Sequence, residues 1–236
     1  MSEHRPEAVL FDAGGTLVVI DAVTLAGRLD PLGVAVPQQD RVTAAHYRAM
    51  AEYSDRLSAG DDLHWHWWIR RFLDHCDIEA TEPVFAAVDK CRWLWHHALP
   101  GVVEAVSLLS SRGIRVAVVS NSDGTVGEEL VTAGFDGLFE TVVDSHVVGV
   151  SKPDPRIFAI ALDRLGVPAT STWYVGDSPH HDLGGASAAG LGRVYLVDPL
   201  GLHQPRAGDD PVGSYQPWVG IVGSVADLVG RAEFAP

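Results

Sequence analysis

The chain has 236 residues, 47% of them hydrophobic and 20% charged, a composition typical of globular proteins and not of disordered ones. Its 31 acidic and 17 basic residues give a net charge of −14, so the surface repels nucleic acid and anionic membranes. No apolar run is long enough for a secretory leader or a membrane span, and Cys76 and Cys91 form no disulfide framework. We expect a cytoplasmic protein, a monomer or homodimer, that acts on small molecules, with no nucleic acid and no membrane as partner.

The first predicted element is a buried strand at 8–11, an apolar run that ends at Asp12 and enters a glycine-rich turn. The following stretch, 20–97, contains no clear strand and has helical spacing. Its predicted helices lie at 21–29, 38–59, 63–75 and 83–97. We interpret 20–97 as a helical domain inserted into a core domain formed by 1–19 and 98–236.

From residue 98 onward, apolar runs alternate with segments of helical spacing. The runs predict strands at 114–119, 141–143, 173–175 and 194–197. The segments between them predict helices at 102–111, 125–133, 155–165 and 183–189. This alternation indicates parallel βαβ units, and the valine-rich strands fit a sheet covered on both faces. We therefore predict an α/β fold with a mainly parallel five-stranded sheet.

The end of the chain contains less regular structure. The segment 199–217 is rich in proline, glycine and aspartate, which indicates an irregular loop. Ser224 and Asp227 have the spacing of a capping box, which predicts the start of a last short helix.

Polar side chains follow several predicted strands at the point where each strand ends. Asp12 follows the first strand, Ser120 and Asn121 the second, and Asp177 the fourth, while Lys152 precedes a helix. Ligands of open parallel sheets bind at the carboxyl ends of the strands, so we expect these side chains to converge there.

These side chains suit phosphoryl chemistry. Asp12 and Asp177 offer the oxygen ligands that Mg²⁺ prefers, and the ion would offset the repulsion between an anionic nucleophile and an anionic substrate. A carboxylate can attack a phosphoryl group to give an aspartyl phosphate that water hydrolyses. Ser120 and the backbone N–H groups after Asp12 and Ser120 would bind the phosphoryl oxygens, while Lys152 would stabilise the developing charge.

Four segments together resemble the motifs of the haloacid dehalogenase-like (HAD) hydrolase superfamily. They are Asp12-Ala-Gly-Gly-Thr16-Leu17, Val118-Val119-Ser120-Asn121, Ser151-Lys152-Pro153-Asp154-Pro155 and Val175-Gly176-Asp177-Ser178 with Asp182. The chain is most similar to members with an α-helical, C1-type cap inserted between the first two motifs. The resemblance implies a Rossmann-like core sheet of strand order 5-4-1-2-3, with 20–97 as the cap.

The resemblance also implies roles for individual residues. Asp12 would be the nucleophile, assisted by Lys152 as the second catalytic residue. Mg²⁺ would be bound by Asp12, the backbone carbonyl of Gly14, and Asp177, with Ser178 and Asp182 supporting the metal site. The substrate-binding positions would be Gly15, Thr16, Ser120, Asn121 and Lys152.

One position departs from the pattern of the family's phosphatases. They usually carry an aspartate two residues after the nucleophile, where it acts as acid and base, but this chain has Gly14. General acid–base catalysis contributes about 10²–10⁴-fold to rate. Three explanations stay open: a substrate with a good leaving group, a proton supplied by a cap residue such as His66 or His96, or a lapsed catalyst.

The prediction is a Mg²⁺-dependent hydrolase, a phosphatase acting on a small phosphorylated metabolite through an aspartyl phosphate at Asp12. One alternative is a metal-independent hydrolase like the haloacid dehalogenases, which share Asp-Ala-x-Gly-Thr but lack the Gly176-Asp177 pair. Another is a protein that binds phosphorylated metabolites for regulation, without catalysis. A Schiff-base mechanism would need a cap lysine, and Lys90 lies too late in the cap to match. The aromatic segment 64–68 is interpreted as packing.

Overall fold

The structure is a computed structural model that describes residues 5–89, 93–203 and 219–234. Its strands are β1 (Ala8–Phe11), β2 (Val18–Val19), β3 (His97–Ala98), β4 (Arg115–Ser120), β5 (Thr141–Asp144), β6 (Thr172–Gly176), β7 (Arg193–Val197) and β8 (Val219–Val222). Its α-helices are α1 (Ala22–Leu29), α2 (Gln39–Ser58), α3 (Trp65–His75), α4 (Glu82–Asp89), α5 (Val102–Ser111), α6 (Val126–Thr132), α7 (Ser145–Val148), α8 (Arg156–Leu165) and α9 (Gly184–Ala188). None of these helices has the length and apolar character needed to cross a membrane.

The main sheet has the order β5-β4-β1-β6-β7-β8, and all of its neighbouring strands are parallel. The predicted α/β class and the order of the five predicted strands are confirmed. The predicted number of strands is wrong, because β8 adds a sixth beside β7. This strand has only four residues and includes Gly220, where a Cβ would lie 2.5 Å from the ring of Tyr195. Close packing requires glycine there and removes the apolar run that would reveal a strand.

Both faces of the sheet are covered, as expected for parallel strands. In β1, Val9 and Phe11 join one hydrophobic cluster, and Ala8 and Leu10 join the cluster on the other face. All four side chains are fully buried. The central strand is therefore held from both sides, which fixes the position of the residue that follows it.

The helices α1 to α4 lie where the sequence predicts helices, but the last prediction runs too far. Of the helix predicted over 83–97, the described residues form α4 at Glu82–Asp89, and His97–Ala98 instead forms β3, antiparallel to β2. Trp93 has φ +65°, a left-handed conformation that does not continue a helix. The strands β2 and β3 have two residues each, too short for a periodic pattern.

Two sequence predictions lie partly outside the described residues. Lys90 and Cys91 fall in the gap at 90–92, and most of the predicted loop falls in the gap at 204–218. The predicted capping box is present, with Ser224 and Asp227 at the start of a 3₁₀ helix at Val225–Gly230.

Candidate active site

Three carboxylates meet where the parallel strands end. Asp12 directly follows β1, and its N–H donates to the carbonyl of Val175 in β6 at 2.8 Å. Asp177 directly follows β6, and Asp182 lies in a π-helical turn at Pro179–Leu183. Each carboxyl offers an oxygen within 4.8 Å of the other two, and all three residues are buried. The pairing of β1 with β6 thus brings together two acids that are far apart in the sequence.

Lys152 lies among these acids. Its Nζ is 2.7 Å from Asp12 Oδ1 and 2.7 Å from Asp182 Oδ1, and it donates to the hydroxyl of Tyr174 at 3.0 Å. The backbone of Lys152 is held by Asn121, which accepts from its N–H at 2.8 Å and donates to its carbonyl at 3.0 Å. Asn121 therefore positions the lysine loop, and its side-chain amide is already engaged there.

Asp182 is hydrogen-bonded through both carboxylate oxygens. Besides Lys152, its Oδ1 accepts from the hydroxyl of Tyr174 at 2.8 Å, and its Oδ2 accepts from the N–H of Ser178 at 2.9 Å. A Cβ on Gly176 would lie 2.4 Å from this carboxyl, so glycine is required for the close approach. Because both oxygens of Asp182 are already hydrogen-bonded, this residue suits a role in supporting the cluster.

Asp177 has a different environment. Its Oδ2 lies 2.7 Å from His46 Nε2 of α2, and both side chains are 1% exposed. Its Oδ1 is buried and has no hydrogen-bond partner among the described residues. A buried carboxylate oxygen without a partner is costly unless a cation or donor binds it. Oδ1 is therefore the oxygen of Asp177 that is available to a metal ion.

The cluster has an excess of negative charge. Burial, together with the nearby Asp182 and Asp177 carboxylates, raises the pKa of Asp12 to about 7 against the opposing effect of Lys152. A divalent cation bound by Asp12 and Asp177 would relieve this excess, and carboxylate oxygens are ligands that hard cations prefer. The residues present therefore fit a divalent cation.

Of the other predicted site residues, some line a cavity and others lie behind its wall. Ser120 and Asn121 line a cavity of about 430 Å³ that also contains Asp12, Gly14, Lys152, Asp177, Ser178 and Asp182 in its wall. Gly15 and Thr16 are buried but are absent from the described lining residues. Gly15 has φ +73°, and a Cβ there would lie 2.0 Å from Asp177 Oδ2, so only glycine fits. Thr16 is fully buried, and its hydroxyl has no partner among the described residues.

A family model described as haloacid dehalogenase-like hydrolase matches residues 6–190. The chain belongs to this family.

Relatives of this hydrolase include two phosphatases. A phosphoglycolate phosphatase from Rhodospirillum rubrum is 32% identical, with 95% of each chain covered. A glyceraldehyde 3-phosphate phosphatase from Methanopyrus kandleri is 28% identical, with 86% of this chain and 90% of the relative covered.

Solved structures share its fold. The HAD hydrolase YfnB from Bacillus subtilis, bound to magnesium, has a TM-score of 0.67 at 18% identity, covering 95% of this chain and 97% of that one. A dehalogenase has a TM-score of 0.63 at 23% identity, covering 96% of each chain. At these identities the likeness concerns the fold alone.

In this HAD hydrolase, an aromatic ring lies in the space that a side chain at position 14 would enter. A Cβ built on Gly14 would lie 3.0 Å from the ring of Trp95, which also lines the cavity. The two histidines considered as replacement acids are paired with other side chains. His66 Nε2 is 2.9 Å from Asp89, His96 Nε2 is 3.2 Å from the hydroxyl of Thr24, and neither histidine is a described lining residue.

Sequence reasoning missed several residues of the cavity wall, including two histidines and a glutamate. His46, Glu129 and His181 all line it. Burial raises the pKa of Glu129 to about 7 and lowers the pKa of His181 to about 4. His181 lies between two motif aspartates, which is a usable signal, whereas His46 and Glu129 lie inside amphipathic helices with no local motif.

The aromatic segment also has two roles. Trp68 is fully buried and stacks on Trp65 with ring centroids 4.4 Å apart, as the packing interpretation predicts. Trp65 is in addition part of the cavity wall.

Proposed function

We propose that this chain is a Mg²⁺-dependent phosphatase that hydrolyses a small phosphorylated metabolite through an aspartyl phosphate at Asp12. The observation that carries the proposal is the buried cluster of Asp12, Asp177 and Asp182 around Lys152, in the wall of a cavity of about 430 Å³. The phosphatases among the relatives agree with it. We further assign 1–19 and 98–236 to the catalytic core and 20–97 to a cap over the strand ends.

In the proposed reaction, an oxygen of Asp12 attacks the phosphorus atom as the bond to the leaving oxygen breaks. Water then hydrolyses the aspartyl phosphate, which releases phosphate and regenerates the Asp12 carboxylate. Lys152, 2.7 Å from Asp12 Oδ1, holds the nucleophile in place and stabilises the charge of the phosphoryl group. The hydroxyl of Ser120 and the backbone N–H groups beside Asp12 bind the phosphoryl oxygens. Mg²⁺ held by Asp12, Asp177 and the carbonyl of Gly14 would supply the positive charge that lets two anions meet.

The glycine at position 14 shapes the choice of substrate. Without an acid beside the leaving group, an alkoxide would have to depart unprotonated, and general acid catalysis is commonly worth about 10²–10⁴-fold. We therefore propose that the preferred substrates have leaving groups that depart readily as anions, such as acyl phosphates, anhydrides or aryl esters. This explanation assigns no acid role to His66 or His96.

The test is hydrolysis of an aryl phosphate and a panel of phosphorylated metabolites with Mg²⁺. Asp12→Asn should abolish turnover, because an amide does not attack phosphorus, and a chelator should abolish turnover by the unaltered enzyme. The matched control is Asp198→Asn, which changes another buried acid, one directly after β7, and should keep activity.

Two other outcomes would contradict the proposal. Full activity in chelator, together with release of halide from a 2-haloacid, would indicate the metal-independent dehalogenase-like reaction. Binding of phosphorylated metabolites without turnover of any substrate, activated ones included, would indicate a binding or regulatory protein.

A further inference from the structure

Three polar side chains of the helix α2 contact residues of the site. His46 contacts Asp177 at 2.7 Å, the hydroxyl of Tyr47 donates to the carbonyl of Gly15 at 2.8 Å, and Ser54 Oγ lies 2.8 Å from the hydroxyl of the residue after Asp177. One face of a cap helix thus reaches the loop after β1 and the loop after β6.

The contact between His46 and Asp177 is closely packed. Both side chains are 1% exposed. The imidazole packs edge-on against the rings of Trp68 and Trp95, with centroids 5.6 Å and 5.4 Å away. A Cβ on Gly15 would lie 2.2 Å from His46 Nε2, so the backbone of Gly15 also packs closely against the imidazole. The ring therefore has little freedom to move while α2 is docked.

This contact determines which oxygen of Asp177 is available. With Oδ2 held by His46, Oδ1 is the oxygen left without a hydrogen-bond partner among the described residues. A metal ligand that is oriented in advance binds its ion more tightly, and losing an outer partner typically weakens metal binding by about 10–100-fold.

We propose that His46 is a positioning residue that orients Asp177 for the metal ion, so that metal affinity depends on the docking of α2. The inference rests on the proposed function, because it assumes that Asp177 binds the metal. Since linkage is reciprocal, metal bound at Asp177 stabilises the docked position of α2 by the same free energy. The docking of α2 would then depend on whether metal is bound at Asp177.

The test measures Mg²⁺ affinity by titration calorimetry, without substrate. His46→Leu removes the contact, and we expect the dissociation constant to rise about 10–100-fold. His46→Gln keeps an N–H donor near the position of Nε2 and should restore most of the affinity. His46→Asn is too short to reach Asp177 Oδ2 and should behave like His46→Leu, so the Gln and Asn variants decide the matter if the leucine variant folds poorly.

The matched control is His75→Leu. His75 Nε2 makes the same kind of contact, 2.9 Å from Glu52, and neither residue is among the described lining residues of the cavity. This variant should bind Mg²⁺ as the unaltered protein does.

Hydrogen exchange gives a second readout that a merely structural role would not produce. Mg²⁺ should slow amide exchange in α2 of the unaltered protein and of His46→Gln, and should have no such effect in His46→Asn. Unchanged or tighter Mg²⁺ binding by both His46→Leu and His46→Asn would overturn the positioning role alone. Absence of Mg²⁺ binding by the unaltered protein would overturn the proposed function as well.

Discussion

At position 14, two residues after the proposed nucleophile Asp12, the backbone carries no side chain, and a ring fills the space beside it. A Cβ there would lie 3.0 Å from Trp95, tighter than an ordinary carbon–carbon contact. The acid that related phosphatases usually place at this point is therefore missing from the sequence. A side chain restored there would require the Trp95 ring to shift by a few tenths of an ångström.

Crowding by Trp95 predicts the behaviour of a double variant. Gly14→Asp alone should change the ratio of alkyl to aryl phosphate turnover little, because the Trp95 ring crowds the added side chain. Gly14→Asp combined with Trp95→Leu should raise that ratio by about tenfold or more, since an acid assists poor leaving groups most. Steady-state kinetics on both esters measure it, with Trp95→Leu alone as control. An equal ratio in all variants would mean that the missing acid is not limiting.

Glu129 is a second residue whose environment has a measurable consequence. Burial raises its pKa from 4.5 to about 7, so the folded protein holds this proton at pH values where the unfolded chain has lost it. Between pH 4.5 and about 7, the folded state therefore loses stability as the pH rises.

Glu129→Gln should remove this pH dependence. The variant should gain stability relative to the unaltered protein as the pH rises from 5 to 8, by up to about 3 kcal/mol in the free energy of unfolding. Urea denaturation at both pH values measures the difference. Glu128→Gln, on the exposed neighbour in α6, is the control. A gain of equal size at pH 5 and pH 8 would contradict the raised pKa.

At the scale of elements, the sequence predicts those strands and helices whose packing leaves a periodic pattern. The strands β1, β4, β5, β6 and β7 are buried apolar runs of four to six residues, and each was predicted. The strands β2 and β3 were missed because two residues carry no period, and β8 was missed because Gly220 interrupts its apolar run. The candidate site follows the same division, since motif residues at strand ends were found and residues inside helices were not.

The helix α2 gives a prediction that isolates its contact with the loop after β6. Ser54 is fully buried with its hydroxyl 2.8 Å from Ser178 Oγ, whereas Ser58, one turn later, is exposed. Ser54→Ala should lower the free energy of unfolding by about 1–2 kcal/mol, because it removes a buried hydrogen bond. Ser58→Ala should change it by less than about 0.5 kcal/mol. Thermal denaturation compares them, and equal effects would mean that the hydroxyl pair contributes nothing.

At the scale of the whole molecule, the site is assembled from positions that no local pattern connects. His46 and Asp177 are 131 positions apart, and Ser54 and Ser178 are 124 apart. The motifs could be assigned to one edge of a sheet because parallel strands end together. The face that α2 turns toward that edge depends on how the helices pack, and a single sequence carries no signal for it.

The net charge of −14 is a property of the whole molecule, and it opposes the approach of an anionic phosphate ester. Lys152 is already paired with two carboxylates, so it offsets this field only in part. Salt screens repulsion beyond about 10 Å at 0.1 M. Raising NaCl from 0.02 to 0.2 M at saturating Mg²⁺ should therefore increase kcat/KM by about twofold or more and leave kcat nearly unchanged, because kcat starts from bound substrate. Initial rates across the NaCl series measure the change in kcat/KM. A fall in kcat/KM with added salt would show that local positive charge, not the net charge, governs how substrate reaches the cavity.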